Sequence, residues 1–174
     1  KAIVQILEEA GSTVHSVSRR TGCDIADHDQ VEDTFERLMK EWGRIDHVVN
    51  AAGLLIKSPL EQQSPADVAQ QVSVNLLGSL NVAQCSHAAL KASHGMLLQF
   101  SSSSFTRGRA EYSAYSACKA GVVNLTQALA TYSEGIVRQS SLLLLGLVER
   151  LETEGSGPAQ IQRLSTLVNR QEPL

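Results

Sequence analysis

No stretch of this 174-residue chain is apolar for long enough to cross a bilayer. The longest unbroken run, Leu142 to Leu145, is a small fraction of the ~20 residues a spanning helix needs. Nor does the beginning read as a secretory signal, because Glu8 and Glu9 interrupt it before an apolar core forms. Cysteine is scarce. Cys23, Cys85 and Cys118 are odd in number and stand at neither metal nor disulfide spacings, which predicts reduced thiols in a cytoplasmic protein. The five histidines show no paired ligand spacing, so no metal site is expected. Strong charge of either sign is also lacking. The formal net charge is −3, and only Arg19-Arg20 and Arg107/Arg109 bring basic residues close together. That gives no electrostatic reason to expect a nucleic-acid or membrane partner.

What remains is enough chain for one domain with a real core. Ile3, Ile6, Leu7 and Ala10 share a helical face that Gly11 ends. Thr13 to Ser18 alternates and reads as a strand. Asp27, with Gln30 three residues on, caps a helix striped by Val31, Phe35, Leu38, Met39 and Trp42, and Gly43 stops it. Ile45 to Asn50 reads as a buried strand closed by Ala51-Ala52-Gly53. Ser64-Pro65-Ala66-Asp67 starts a long helix with Val68, Val72, Leu76, Leu80, Ala83, His87 and Leu90 on one face. Gly95 to Ser101 is the next strand, and a helix runs from about Glu111 to Thr131. Strands alternating with helices predict an α/β fold with a parallel sheet. Gly155-Ser156-Gly157-Pro158 reads as a flexible break.

Tyr115 and Lys119 stand four apart on the last of these helices and share a face. A free phenol ionises at about 10 and is a poor acid or base near neutrality. A neighbouring ammonium stabilises the phenolate and lowers that value, which fits Tyr115 for proton transfer to an alkoxide or from an alcohol. Ser101 to Ser104 close a strand about a dozen residues earlier, at the strand end where parallel sheets bind ligands. A hydroxyl there can hydrogen-bond a carbonyl. On spacing alone this is modest evidence: Tyr/Lys pairs four apart are common, and a solvated helix face is the default reading.

Four motifs occur in order: Asn50-Ala51-Ala52-Gly53, Val74-Asn75-Leu76, the serine-ended strand, and Tyr115-Ser116-Ala117-Cys118-Lys119-Ala120. Together, over residues 1 to 137, they resemble the short-chain dehydrogenase/reductase superfamily. The resemblance implies a Rossmann-like doubly wound parallel sheet and an NAD(P)-dependent oxidoreductase. It implies Tyr115 as general acid/base and Lys119 as the residue that lowers its pKa and holds the nicotinamide ribose. Ser102 (or Ser103) would orient the carbonyl, and Asn75 would hold a relay water. On the cofactor side, Asp24-Ile25 resembles the pair at the adenine, and Asn50, Ala51 and Gly53 the turn at the adenosine ribose. Ser18 and Arg19 end the second strand of the family fold. NAD users tend to place an acid there, whereas Arg suits the 2′-phosphate of NADP, so NADP(H) is favoured over NAD(H).

The segment Ser101 to Arg109 is similar to reductase domains that accompany a cytidylyltransferase in bifunctional proteins making CDP-ribitol. Those domains reduce ribulose 5-phosphate to ribitol 5-phosphate. Arg107 and Arg109 then suit a substrate phosphate, and pairing with acids is the alternative. Other readings are a general ketone or 3-oxoacyl reductase, and a non-catalytic assembly domain or inactive fragment that keeps the fold. The long helices from Ser64 and Glu111 resemble those that make family members homodimers or homotetramers.

Departures from the family pattern predict an incomplete fold. The Gly-rich pyrophosphate turn and the central first strand that precedes it are not in the sequence. Ser18 and Cys23 lie too close for a crossover, which needs about a dozen residues. Residues 138–174 match no family element, and their apolar run from Ser141 to Val148 suits a strand or a helix.

Overall fold

The computed structural model describes residues 2–132. The proposed break at 155–158, the run from 141 to 148 and the whole atypical segment 138–174 lie outside the described residues.

Helix α1, Ala2–Glu9, is followed by Ser12 to Ser18 without regular structure and by a single 3-10 turn at Arg19–Thr21. Helix α2, His28–Trp42, starts where the sequence predicts. The Asp27 carboxylate accepts from the Gln30 backbone N–H at 3.2 Å and from its side-chain amide at 2.7 Å, satisfying a donor that a helix N-terminus leaves free. Gly43, at φ +71°, ends it with a bond to the Met39 carbonyl. Strand β1 is His47–Asn50 and β2 is Met96–Gln99. They pair in parallel, with His47 opposite Met96 and Asn50 opposite Gln99. Val31, Leu38, Ile45, Val82, Leu90 and Leu97 form the core between this sheet and helices α2 and α4 (Gly78–Ser93).

The crossover from β1 to β2 is one long helical run with a flaw in it. Helix α3, Pro65–Val72, begins in the predicted capping box of Ser64 and Asp67. A π-helical turn, Ser73–Leu77, interrupts the run before α4. The wide turn shifts the phase of the helix beyond it, so the predicted apolar face is not one face. Val72 and Leu80 are about 40% exposed. The buried side of α4 is instead Ser79, Val82, Ala83, Ser86, Ala89 and Leu90. π-turns of this kind gather at functional sites, and Asn75 sits at the centre of this one.

Helix α5, Ser113–Tyr132, starts two residues later than predicted, because Glu111 adopts a left-handed backbone, φ +65°.

Thr13–Ser18 is not a strand. A strand exists only through its pairing, and among the described residues the only ladder is β1 with β2. An open cavity of about 1220 Å³ has Val14 and Val17 on one side and Val48 and Asn50 on another. The alternation at Thr13–Ser18 is real, but among the described residues no strand pairs with it, and the backbone–backbone bonds at its end run only from Thr21 and Cys23 to the Ser18 carbonyl.

Candidate active site

Asn50 ends β1 at the sheet edge where β2 also stops. Its Oδ1 accepts from the Ala52 N–H at 3.2 Å, which shapes the Ala51–Gly53 turn, and its amide donates to Gln99 Oε1 at 2.8 Å. Gln99 in turn donates to the Ser79 carbonyl, and Ser79 Oγ to the Asn75 carbonyl. This chain of buried polar groups joins both strand ends to the π-turn. Each member is satisfied, the condition under which burying a polar group is tolerable.

Asn75 is fully buried. Its Oδ1 accepts from the Leu54 N–H at 3.0 Å, and its Nδ2 donates to the carbonyls of Leu54 and Gln71. Both amide protons are spoken for, and an acceptor lone pair on Oδ1 is left over. A Cβ added at Gly53 would lie 3.3 Å from that Oδ1 and 3.8 Å from Lys119 Nζ. The missing side chain of Gly53 thus keeps open a narrow space shared by Asn75 and Lys119.

Lys119 is buried, and its ammonium donates to the Phe100 carbonyl at 2.8 Å while lying 5.7 Å from the centre of the Tyr115 ring. Burial pushes its pKa below the ordinary lysine value, because desolvation opposes the charged form. Ser102 is buried, and its Oγ accepts from both the N–H and the hydroxyl of Ser104. Its own proton is therefore left to donate. Burial holds Tyr115 above the ordinary phenol value, outweighing Ser102, which sits beside the phenol closely enough to pull its pKa down.

The net direction for the phenol is therefore upward, because desolvation outweighs what lowers it, while the Lys119 ammonium donates to the Phe100 carbonyl. In the cofactor-free protein, Tyr115 should therefore ionise above the usual ~10. Alkaline titration of tyrosinate absorbance in wild type minus Tyr115→Phe measures it. A midpoint well below 10 would show that the ammonium wins.

The structure thus brings Tyr115, Lys119, Ser102 and Asn75 around one corner of the sheet. It separates Ser102 from Ser103, which is exposed and accepts from Arg109 at 2.8 Å. Arg107 and Arg109 are exposed on the same loop, and among the described residues neither is in an ion pair with an acid. Ser18, Arg19, Asp24, Ile25, Asn50, Ala51 and Gly53 all line the 1220 Å³ cavity. The Asp24 carboxylate accepts from the Ala26 N–H at 3.0 Å, and the Ile25 carbonyl from Asn81 Nδ2, so this turn is preformed.

Four residues with clear parts in this geometry are not evident from spacing: Ser104, Gln99, Ser79 and Gln71. The signal they leave is polarity in apolar surroundings, as Gln99 shows between Leu98 and Phe100. His28, Asp29 and Glu32 also bring donor atoms within 4.8 Å of one another. They lie at the start of α2, where acids interact favourably with the helix dipole. No described helix is long and apolar enough to cross a membrane.

Residues 1–138 match the family model described as enoyl-(acyl carrier protein) reductase. The chain is 39% identical over 127 residues to the bifunctional ribulose 5-phosphate reductase/CDP-ribitol pyrophosphorylase of Haemophilus influenzae, covering 73% of this chain and 27% of that protein. It is 34% identical over 109 residues to the 3-oxoacyl-[acyl-carrier-protein] reductase of Bos taurus, covering 62% and 46%. The chain therefore spans between about a quarter and a half of the length of these relatives. Among solved structures it superposes on an alcohol dehydrogenase from the archaeon Thermococcus sibiricus complexed with 5-hydroxy-NADP. The TM-score is 0.67 at 22% identity, over 76% of this chain and 55% of that one. That likeness shows the Rossmann-like α/β fold.

Proposed function

Because this chain belongs to the short-chain dehydrogenase/reductase family, we propose that it is the catalytic core, over residues 1–137, of an NADP-dependent carbonyl reductase acting on ribulose 5-phosphate. The observation that carries this reading is the meeting of Ser102, Tyr115 and Lys119 beside the Gly53 turn.

Ser102, its oxygen already accepting from Ser104, donates its proton to the substrate carbonyl and fixes it beside Tyr115. The phenol, neutral through the physiological range, gives its proton to the oxygen as negative charge develops there, as a general acid should. When bound, the reduced nicotinamide supplies the hydride. Lys119 keeps two N–H donors beyond the one on Phe100, and these hold ribose hydroxyls. Its charge offsets the phenolate left behind. A water in the space beside Gly53, accepted by Asn75 Oδ1, carries the replacement proton. Asp24 and Ile25 take the adenine side, Asn50, Ala51 and Gly53 the ribose, and Ser18 and Arg19 the 2′-phosphate.

Among the described residues Arg107 and Arg109 pair with no acid, and they follow Ser102 on one loop, where Arg109 donates to Ser103 Oγ; this supports a phosphorylated substrate, since guanidinium binds phosphate with paired N–H donors. The bifunctional relative supports a cytidylyltransferase as fused or working partner. Exposed Val72, Leu77 and Leu80 support self-association. A 3-oxoacyl thioester is the second reading, favoured by exposed Leu55 and Leu60 on the segment that follows the Gly53 turn.

The test is NADPH titration followed by nicotinamide fluorescence, then turnover of ribulose 5-phosphate against a 3-oxoacyl thioester. Saturable NADPH binding and preference for the sugar phosphate are expected. Arg19→Ala should weaken NADPH by about tenfold, the worth of a charged hydrogen bond, and leave NADH unchanged. A folded wild-type protein with saturable binding of neither NADPH nor NADH would leave only the non-catalytic readings.

A further inference from the structure

We infer that Gln71, acting through Gln63, is a positioning residue that fixes the Leu54–Gln63 loop as the substrate-side wall of the site. The inference rests on the reductase reading and concerns residues outside the proton-transfer group. Gln71 is completely buried on α3. An interior amide is tolerable only if its groups are paired. Gln71 Oε1 accepts from the Ile56 N–H at 3.1 Å, and Nε2 donates to Gln63 Oε1 at 2.9 Å. Gln63 Nε2 then donates back to the Ser58 carbonyl at 2.9 Å. The two amides therefore grip the loop at a backbone donor and a backbone acceptor, an arrangement that apolar residues of similar size cannot supply.

Two further attachments put the grip in register. Asn75, one helical turn after Gln71, holds both backbone groups of Leu54. On the other side, the Ser58 N–H donates to the Glu111 carbonyl at 3.1 Å, and Lys57 Nζ lies 3.2 Å from the Glu111 carboxylate. Leu54, Ile56 and Ser58 are thus fastened at alternate positions. An extended segment held at alternate residues turns the intervening side chains the other way, and Leu55 and Lys57 are indeed exposed. Glu111 keeps a left-handed backbone four residues before Tyr115, a conformation that surroundings must enforce in a residue with a side chain. The loop holds Glu111 there at both its carbonyl and its carboxylate. The clamp therefore sets two things together: which loop side chains face outward beside Gly53, and how the chain enters the helix that carries Tyr115.

The experiment uses Gln71→Leu and Gln63→Ala in the full chain. The second variant cuts the same link from its half-buried end, should the first fail to fold. Hydrogen exchange at the Ile56 and Ser58 amides and steady-state kinetics with NADPH and ribulose 5-phosphate are measured. Exchange about tenfold faster at Ile56 is expected, with KM for the carbonyl substrate raised about tenfold and KM for NADPH within twofold of wild type. The double variant should be no worse than Gln71→Leu, because the two act as one unit. Wild-type exchange at both amides in folded variants would overturn the inference. So would an equal rise in both KM values, the mark of general loosening. If wild type turns over no carbonyl, the reductase reading falls, and the exchange result alone decides whether Gln71 holds the loop.

Discussion

Replacing Tyr115 by phenylalanine should lower carbonyl turnover by about a thousandfold and change NADPH affinity by no more than a few-fold. The magnitude is what a positioned general acid contributes, roughly 10²–10⁴. The ring itself has structural contacts that phenylalanine keeps. It meets Tyr112 edge-on at 6.1 Å, and the Lys119 ammonium lies 5.7 Å from its centre. Only the oxygen is lost, and with it the proton donor beside Ser102. No other side chain there is an obvious substitute. Ser102 gives its proton to the carbonyl as a hydrogen bond but is far too weak an acid to release it. Stopped-flow mixing of the NADPH-loaded variant with substrate separates binding from chemistry. Full turnover by Tyr115→Phe would mean that another group is the acid.

The same corner works against stability near neutral pH. Lys119 has a depressed folded pKa, so the stability linked to it is present above its unfolded value and lost as pH falls through the folded one. Tyr115 has a raised pKa. Its linked stability is present below the unfolded value and lost as pH rises through the folded one. At pH 7 the phenol sits as the neutral acid, while the buried ammonium opposes folding and, among the described residues, has one hydrogen bond, to the Phe100 carbonyl, to offset this. A structural requirement alone would favour an apolar residue at that position. The ammonium makes sense if the site must balance a phenolate and hold hydroxyl groups.

Much of this corner is legible in the sequence. The caps at Asp27 and Ser64 act locally, within one turn of the chain, so residue spacing reveals them directly. The Tyr115/Lys119 pair is legible in position, because a helix of known start fixes which residues share a face. Its electrostatics is not. Whether the ammonium or desolvation governs the phenol depends on Phe100 and Ser102, which come from another element. The π-turn is also hidden. One wide turn changes which residues of α4 face the core, and an apolar stripe drawn with a constant period passes straight over it. Thr13–Ser18 misleads for a different reason. Alternation reports which side chains can share a face, but a strand also needs a neighbour, and periodicity carries no information about one. Gln71 and Gln99 are polar residues that a hydrophobic pattern treats as exceptions, and their partners lie 8–15 and 20–49 positions away.

Gly95→Ala should destabilise the protein by about 3 kcal/mol, at the upper end of ordinary overpacking, and lower its melting temperature by roughly 10 °C. Gly95 stands where α4 gives way to β2. Its N–H closes the helix on Leu90, and the next residue, Met96, donates to the Asp46 carbonyl at 2.9 Å. A Cβ there would collide with the Asp46 carbonyl oxygen and sit 2.7 Å from Ser93 Oγ and 2.9 Å from the Asp46 carbonyl carbon. The serine can rotate, at the expense of its bond to Ile45. The backbone of Asp46 cannot, because the next residue begins β1 and is already in register with Met96. The cost therefore falls on the only strand pair among the described residues, the pair that delivers Asn50 and Gln99 to the site. Gly108→Ala is the matched control, since its added Cβ meets nothing within 4 Å, and its melting temperature should stay within about 2 °C of wild type. Equal melting of the two variants would show that β1 and β2 do not approach as closely at Gly95 as the fold requires.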